Sequence, residues 1–94
     1  MKYTLKKGDI VESKAGHDEG RIYVVVDALE DGFVNLADGE YRPLDKKKRK
    51  RGKHLRYLAS AELPEKIKIT DVKSVIKNYK LKIKKRVDSN TAIN

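Results

Sequence analysis

The run Ile22-Tyr23-Val24-Val25-Val26 is the longest apolar stretch in the chain, and it lies inside a segment, Arg21 to Leu29, that is apolar on both sides of a strand. Ile22, Val24 and Val26 fall on one face; Tyr23, Val25 and Leu29 fall on the other. Side chains alternate along a strand, so neither face suits water and the segment is expected at the centre of a sheet. Five apolar residues are too few for a membrane-spanning helix, which needs about 20, or for a signal-peptide core of about 7–15. The expectation is a soluble, cytoplasmic chain with no membrane partner.

The neighbours of this segment are short and punctuated. Five of the six glycines lie at Gly8, Gly16, Gly20, Gly32 and Gly39. Asp9 to Val11 follows the first. Asp31-Gly32 signals a turn, and Phe33 to Ala37 reads as a strand. Asp38-Gly39 signals a two-residue hairpin, because a type I′ turn needs positive φ. Glu40 to Leu44 is then a short fourth strand, with Pro43 marking its edge or end, and His54 to Leu58 a fifth. Tyr23 and Phe33 are expected in or beside the core. Short strands joined by tight turns predict a mainly β fold, a small antiparallel barrel or curled sheet, over residues 1–58.

Residues 59–94 differ. Pro64 breaks the chain, Thr70 suits an N-cap, and Asp71 suits the first turn of a helix. Val72, Val75, Ile76, Tyr79 and Ile83 form one helical stripe, and Lys73, Lys77, Lys80 and Lys84 a second about 110° around. The strict alternation Lys80 to Lys84 is a strand pattern, so the reading is a helix over about 71–81 that frays into a basic end, with a disordered tail from about Val87. The apolar stripe requires docking, on the barrel or on a partner.

A chain of 94 residues makes one small domain plus an extension. Domains this short bury only about 60–65% of their unfolded surface, so a large substrate cavity is not expected. There is no cysteine, which excludes disulfides, thiolate catalysis and cysteine-ligated metal centres. His17 and His54 are the two histidines, and they form no metal constellation. No Ser–His–acid set, phosphate-loop motif or paired carboxylate stands out. No enzyme activity, cofactor, metal or small-molecule substrate is expected.

Charge is the remaining signal. The net charge is +9, and it is unevenly spread: −3 over residues 1–44, +7 over 45–57 and +5 over 58–94. Such a distribution presents one face to a polyanion. Lys46-Lys47-Lys48-Arg49-Lys50-Arg51-Gly52-Lys53 reads as a basic arm, mobile when free because its cations repel one another, and relieved by phosphates. Lysine acts there as a point charge, while Arg49 and Arg51 can clamp phosphate or stack on bases. The letters also fit a nuclear import signal. Tyr41 and Tyr57 flank the arm and could stack on unpaired bases.

Gly8 to Val11, Ser13-Lys14-Ala15-Gly16 and Gly20 to Val26 together resemble the KOW motif, an alternating strand, a glycine-bearing loop and a second glycine-led strand. With Val26-Asp27, the Asp38-Gly39 turn followed by Arg42, and the basic run leading to Lys53-His54-Leu55, the chain is similar to the KOW-type large-subunit ribosomal proteins of archaea and eukaryotes, the fourteen-e group. It is more similar still to their stand-alone bacterial counterparts, which also carry a Thr-Asp-led helix. The resemblance covers residues 8–58 well and 59–86 loosely. It implies a Src-homology-three-like barrel that binds RNA, structured ribosomal RNA in particular, through phosphate contacts. The site residues it implies, with the arm, are Lys14, Arg21, Arg42, Lys46, Lys47, Lys48, Arg49, Lys50, Arg51, Lys53 and His54, joined by Tyr41 and Tyr57. Gly16 and Gly20 are the structural turn. One departure stands out: the loop between the first two strands, Gly16-His17-Asp18-Glu19-Gly20, carries two acids where the family often has a base, which points to the bend itself as the loop's role. The rival readings are a protein-interaction module of the transcription-factor KOW type and a non-specific DNA-binding protein.

Overall fold

The structure is a computed structural model, and it describes residues 4–39 and 44–93. Five strands, β1 (Asp9–Ser13), β2 (Ile22–Ala28), β3 (Phe33–Ala37), β4 (Lys48–Arg51) and β5 (Leu55–Ser60), precede one helix, α1 (Ile69–Ile93). The strands form an antiparallel sheet in the order β4-β3-β2-β1-β5. The doubly apolar segment is the central strand, as its pattern requires. Tyr23 and Val25 pack on one side with Val11, Val34, Leu36, Leu55 and Leu5. Val24 and Val26 pack on the other with Ala37 and, from α1, Val72 and Ile76. The helix therefore docks on the sheet by its apolar stripe, with Ile22, Leu44, Leu63, Ile67 and Val75 at the margins. Leu29 parts from the pattern: it lies beyond the end of β2 and is 40% exposed.

The sheet is strongly curled. Its edge strands β4 and β5 are joined by only Gly52–His54, a 3-10 turn. Laid flat, two strands four places apart stand about 19 Å from each other, whereas such a turn spans about 8 Å. The connection closes only if the two edges bend toward one another. No β4–β5 pairing completes a closed barrel among the described residues. At the far end of the sheet, Gly8 donates to the Val25 carbonyl at 2.8 Å and accepts from the Ala61 amide at 2.8 Å. The sheet and its hydrogen bonds thus continue past residue 58, through Ser60 to the Ala61 amide.

Three expectations are corrected, and a fourth lies mostly outside the described residues. The two-residue turn with positive φ at both positions is Asp31-Gly32, φ 60° and 76°, closed by the Phe33 amide donating to the Glu30 carbonyl. At Asp38-Gly39 only Gly39 has positive φ, so the pair is not a type I′ turn, and the next strand among the described residues starts at Lys48. The fourth strand expected over Glu40 to Leu44 falls on residues 40–43, outside the described residues, and Leu44 opens a 3-10 turn. The mobile arm is instead a strand, β4, in register with β3 from Phe33↔Arg51 to Leu36↔Lys48. Finally, α1 does not give way near Leu81 to a disordered tail but runs to Ile93. No glycine or proline interrupts residues 69–93, and the Lys, Leu and Ile of the alternating segment are all compatible with a helix. No helix is long and apolar enough to cross a membrane among the described residues.

Candidate nucleic-acid interface

The cations of β4 do not form one surface, because a strand sends alternate side chains to opposite faces. Lys48 and Lys50 are half-buried; Arg49 and Arg51 are exposed. The inward pair lies opposite Leu36 and Val34 of the inner core, and it reaches across the curl to the β1–β2 loop. There, Lys48 Nζ donates to one Asp18 oxygen at 2.6 Å and Lys50 Nζ to the other at 3.0 Å. Ser13 Oγ donates to Asp18 at 2.9 Å, Tyr23 Oη donates at 3.0 Å, and Lys50 also reaches the Ala15 carbonyl at 3.0 Å. Tyr23 is fully buried and Asp18 nearly so.

This cluster ties the edge strand to the opposite side of the curl. Burial alone would raise the Asp18 carboxyl, but the bonds from Lys48, Lys50, Ser13 and Tyr23 outweigh it and hold the group far below the usual carboxylate range. Burial and the adjacent Asp18 push the Tyr23 phenol up to about 12, against a contribution from Arg21. Gly16 and Gly20, at φ 88° and 90°, bend the loop as expected. The loop's function is not only the bend: its first acid is the anchor of the cluster, while Glu19 points to solvent.

The outward pair has a different setting. The guanidinium carbons of Arg49 and Arg51 lie 4.3 and 4.8 Å from the centroid of half-buried Phe33, within cation–π range. Neither has a carboxylate partner among the described residues. Lys53 and His54, exposed in the following 3-10 turn, extend the row, and the His54 carbonyl accepts from the Lys14 amide at 2.9 Å, which brings exposed Lys14 to the same end of the sheet.

Other expected residues are dispersed or engaged. Lys47 pairs with Asp27 at 3.0 Å; burial would raise that carboxyl, and Lys47 and Asn35 together hold it below its ordinary value. Lys46 is exposed at the end of its 3-10 turn, and Arg21 is exposed before β2. Tyr57 is exposed on β5, its hydroxyl 2.8 Å from Ser60 Oγ. Tyr41 and Arg42 lie outside the described residues. Lys73, Lys77, Lys80 and Lys84 are exposed along α1.

No family model matches the chain, and no curated protein matches it.

Two features escaped the sequence reading. One is Asp18 as the partner of β4; its signal was the strict Lys-Arg-Lys-Arg alternation, which marks a two-faced strand as much as a charged loop. The other is a cleft of about 560 Å3 beside Phe33 and Arg51, which size alone argued against. It forms not inside the core but between the Asp31-Gly32 turn and the Gly52–His54 turn. Among the described residues, no group of three His, Cys, Asp or Glu side chains could hold a metal ion.

Proposed function

We propose that the chain is an RNA-binding module of the KOW type, its curled sheet a Src-homology-three-like barrel, and that it engages structured RNA of the ribosome in the cytoplasm by phosphate contacts. The barrel reading is supported by the three-residue link between the two edge strands and by the inner core they enclose. The function rests on one observation: the outward row of β4, Arg49 and Arg51, continues into Lys53 as exposed cations without carboxylate partners among the described residues, while the inward Lys48 and Lys50 are both ion-paired to Asp18 within the fold. A protein needing positive charge only for solubility gains nothing from holding two guanidinium groups against an aromatic ring. A surface built for phosphates gains orientation, since arginine binds phosphate through a planar fork.

The division of β4 also sets the strength of binding. With Lys48 and Lys50 occupied by Asp18 and Lys47 by Asp27, about four cations remain for phosphate: Lys46, Arg49, Arg51 and Lys53. The logarithm of the affinity for an RNA hairpin should then fall with the logarithm of salt concentration at a slope of about −3 to −4. Titration across salt concentrations, repeated with Arg49→Gln, Arg51→Gln and Lys53→Gln combined, tests the reading. A flattened slope with an unchanged far-UV spectrum supports it. An unaltered affinity and slope would remove this row from the interface.

A further inference from the structure

The cleft beside β4 is of ligand size, inside the usual range of about 300–1,000 Å3, and its lining is chemically mixed in an informative way. Leu5, Leu29 and Phe33 supply an apolar wall, Arg51 and Lys53 supply cations, and Asp31 supplies one carboxylate. Leu29 is one of only a few large apolar side chains left exposed among the described residues. Asp31, at the tip of its turn, is the only non-glycine residue there with positive φ. Arg51 belongs at once to the cleft and to the outward cation row.

The geometry points to this cleft as the receptor for a single unpaired nucleotide of the bound RNA. The inference rests on the RNA-binding reading above and gives that surface a second component. A paired base is hidden in the stack, and the deep groove of an RNA helix admits no side chains; an unpaired nucleotide can be splayed out and read. Such a nucleotide combines three chemistries, and the cleft carries a complement to each. The flat face of the base matches the apolar wall of Leu5 and Leu29, since the guanidinium groups of Arg49 and Arg51 already lie over the Phe33 ring. The phosphate matches Arg51 and Lys53. The N–H groups on the edge of the base match the Asp31 carboxylate, which at the same time repels phosphate and so fixes which end enters. An apolar peptide would leave the two cations unmatched, and an acidic one would meet Asp31.

Three RNA hairpins of one sequence test this: one fully paired, one with a single unpaired adenosine in the stem, and one with an abasic nucleotide in its place. Each is titrated against the wild-type chain and Leu29→Ala, an exposed position whose variant is first shown by thermal melting to fold. The expected result is at least about fivefold tighter binding of the unpaired adenosine than of either other hairpin, lost in Leu29→Ala while affinity for the paired hairpin stays unchanged. In addition, 2-aminopurine at the unpaired position should change its fluorescence with the wild type and not with the variant. If all three hairpins bind alike and Leu29→Ala alters none of them, the nucleotide receptor is overturned and phosphate binding by β4 stands. If no hairpin binds, both the receptor and the RNA-binding reading fall. Capture of an apolar peptide in the cleft, in competition with no RNA, also overturns the receptor.

Discussion

At the level of single residues, Asp18 has the largest structural role for its size. A carboxylate that receives bonds from two ammonium and two hydroxyl groups is cheap to keep and costly to lose. Asp18→Asn leaves Lys48 and Lys50 half-buried without their counter-charge, and should destabilise the fold by about 3 kcal/mol in urea unfolding at neutral pH. The pH dependence follows from the direction of the shift. Because the folded carboxyl titrates below the unfolded value of about 3.9, its contribution is complete above that value and is lost as pH falls toward the folded one. The gap in stability between wild type and Asp18→Asn should therefore be constant from about pH 7 to 5 and narrow below about pH 4, as melts across that range would show. Gly8 provides a second test. A Cβ there would collide with the Ala61 carbonyl, whereas at Gly20 it would meet nothing, although φ is positive at both. Gly20→Ala should cost only the left-handed penalty of about 1–2 kcal/mol, and Gly8→Ala distinctly more, because the β1–β5 end of the sheet must open. Equal losses at the two sites would mean that Gly8 is needed for conformation alone.

Among the elements, α1 and β4 differ in what holds them. The helix stands on the sheet through Val72 and Ile76, both buried. Ile76→Ala should cost about 2–4 kcal/mol in denaturant unfolding, while Lys77→Ala, one position on and exposed, should cost almost nothing. Its docking was legible because a stripe at helical spacing can be read from sequence, and so was the central place of β2, whose two apolar faces admit no other. The end of α1 was not: helix and strand patterns overlap in Lys80 to Lys84, and alternation cannot decide between them when no tertiary contact is known. The placement of the Asp-Gly turns was only half legible. Both dipeptides permit positive φ, and only the length of chain to the next strand, which depends on where β4 pairs, tells which one closes a hairpin. For β4 the difficulty was of another kind. Charge repulsion correctly forbids a lone basic strand, but a carboxylate 30 positions earlier in the chain removes the objection, and that proximity exists only once the sheet curls. The residues proposed for binding divide along the same line: Arg49, Arg51 and Lys53 were visible as charge, whereas the loss of Lys48 and Lys50 to the interior was visible only as geometry.

For the molecule as a whole, stability and binding should be separable along a single strand. Lys48→Met with Lys50→Met should shift the melting temperature and leave the salt slope of RNA binding near that of the wild type; Arg49→Gln with Arg51→Gln should do the reverse. Both pairs of effects are measurable on the same two proteins, and a variant that moves both quantities together would mean that the two faces of β4 are not independent. The open sheet adds a consequence of its own. Because the ladders stop at β4 among the described residues, that strand keeps there a row of backbone donors and acceptors with no strand beyond it, the kind of border at which two copies of a chain can zip together into a continuous sheet. Its guanidinium and ammonium groups guard the border, since a second copy would bring the same charges alongside. A polyanion that binds those groups also disarms the guard, so the chain should stay dispersed when alone or when RNA is in excess, and cluster near the mixing ratio at which the charges cancel.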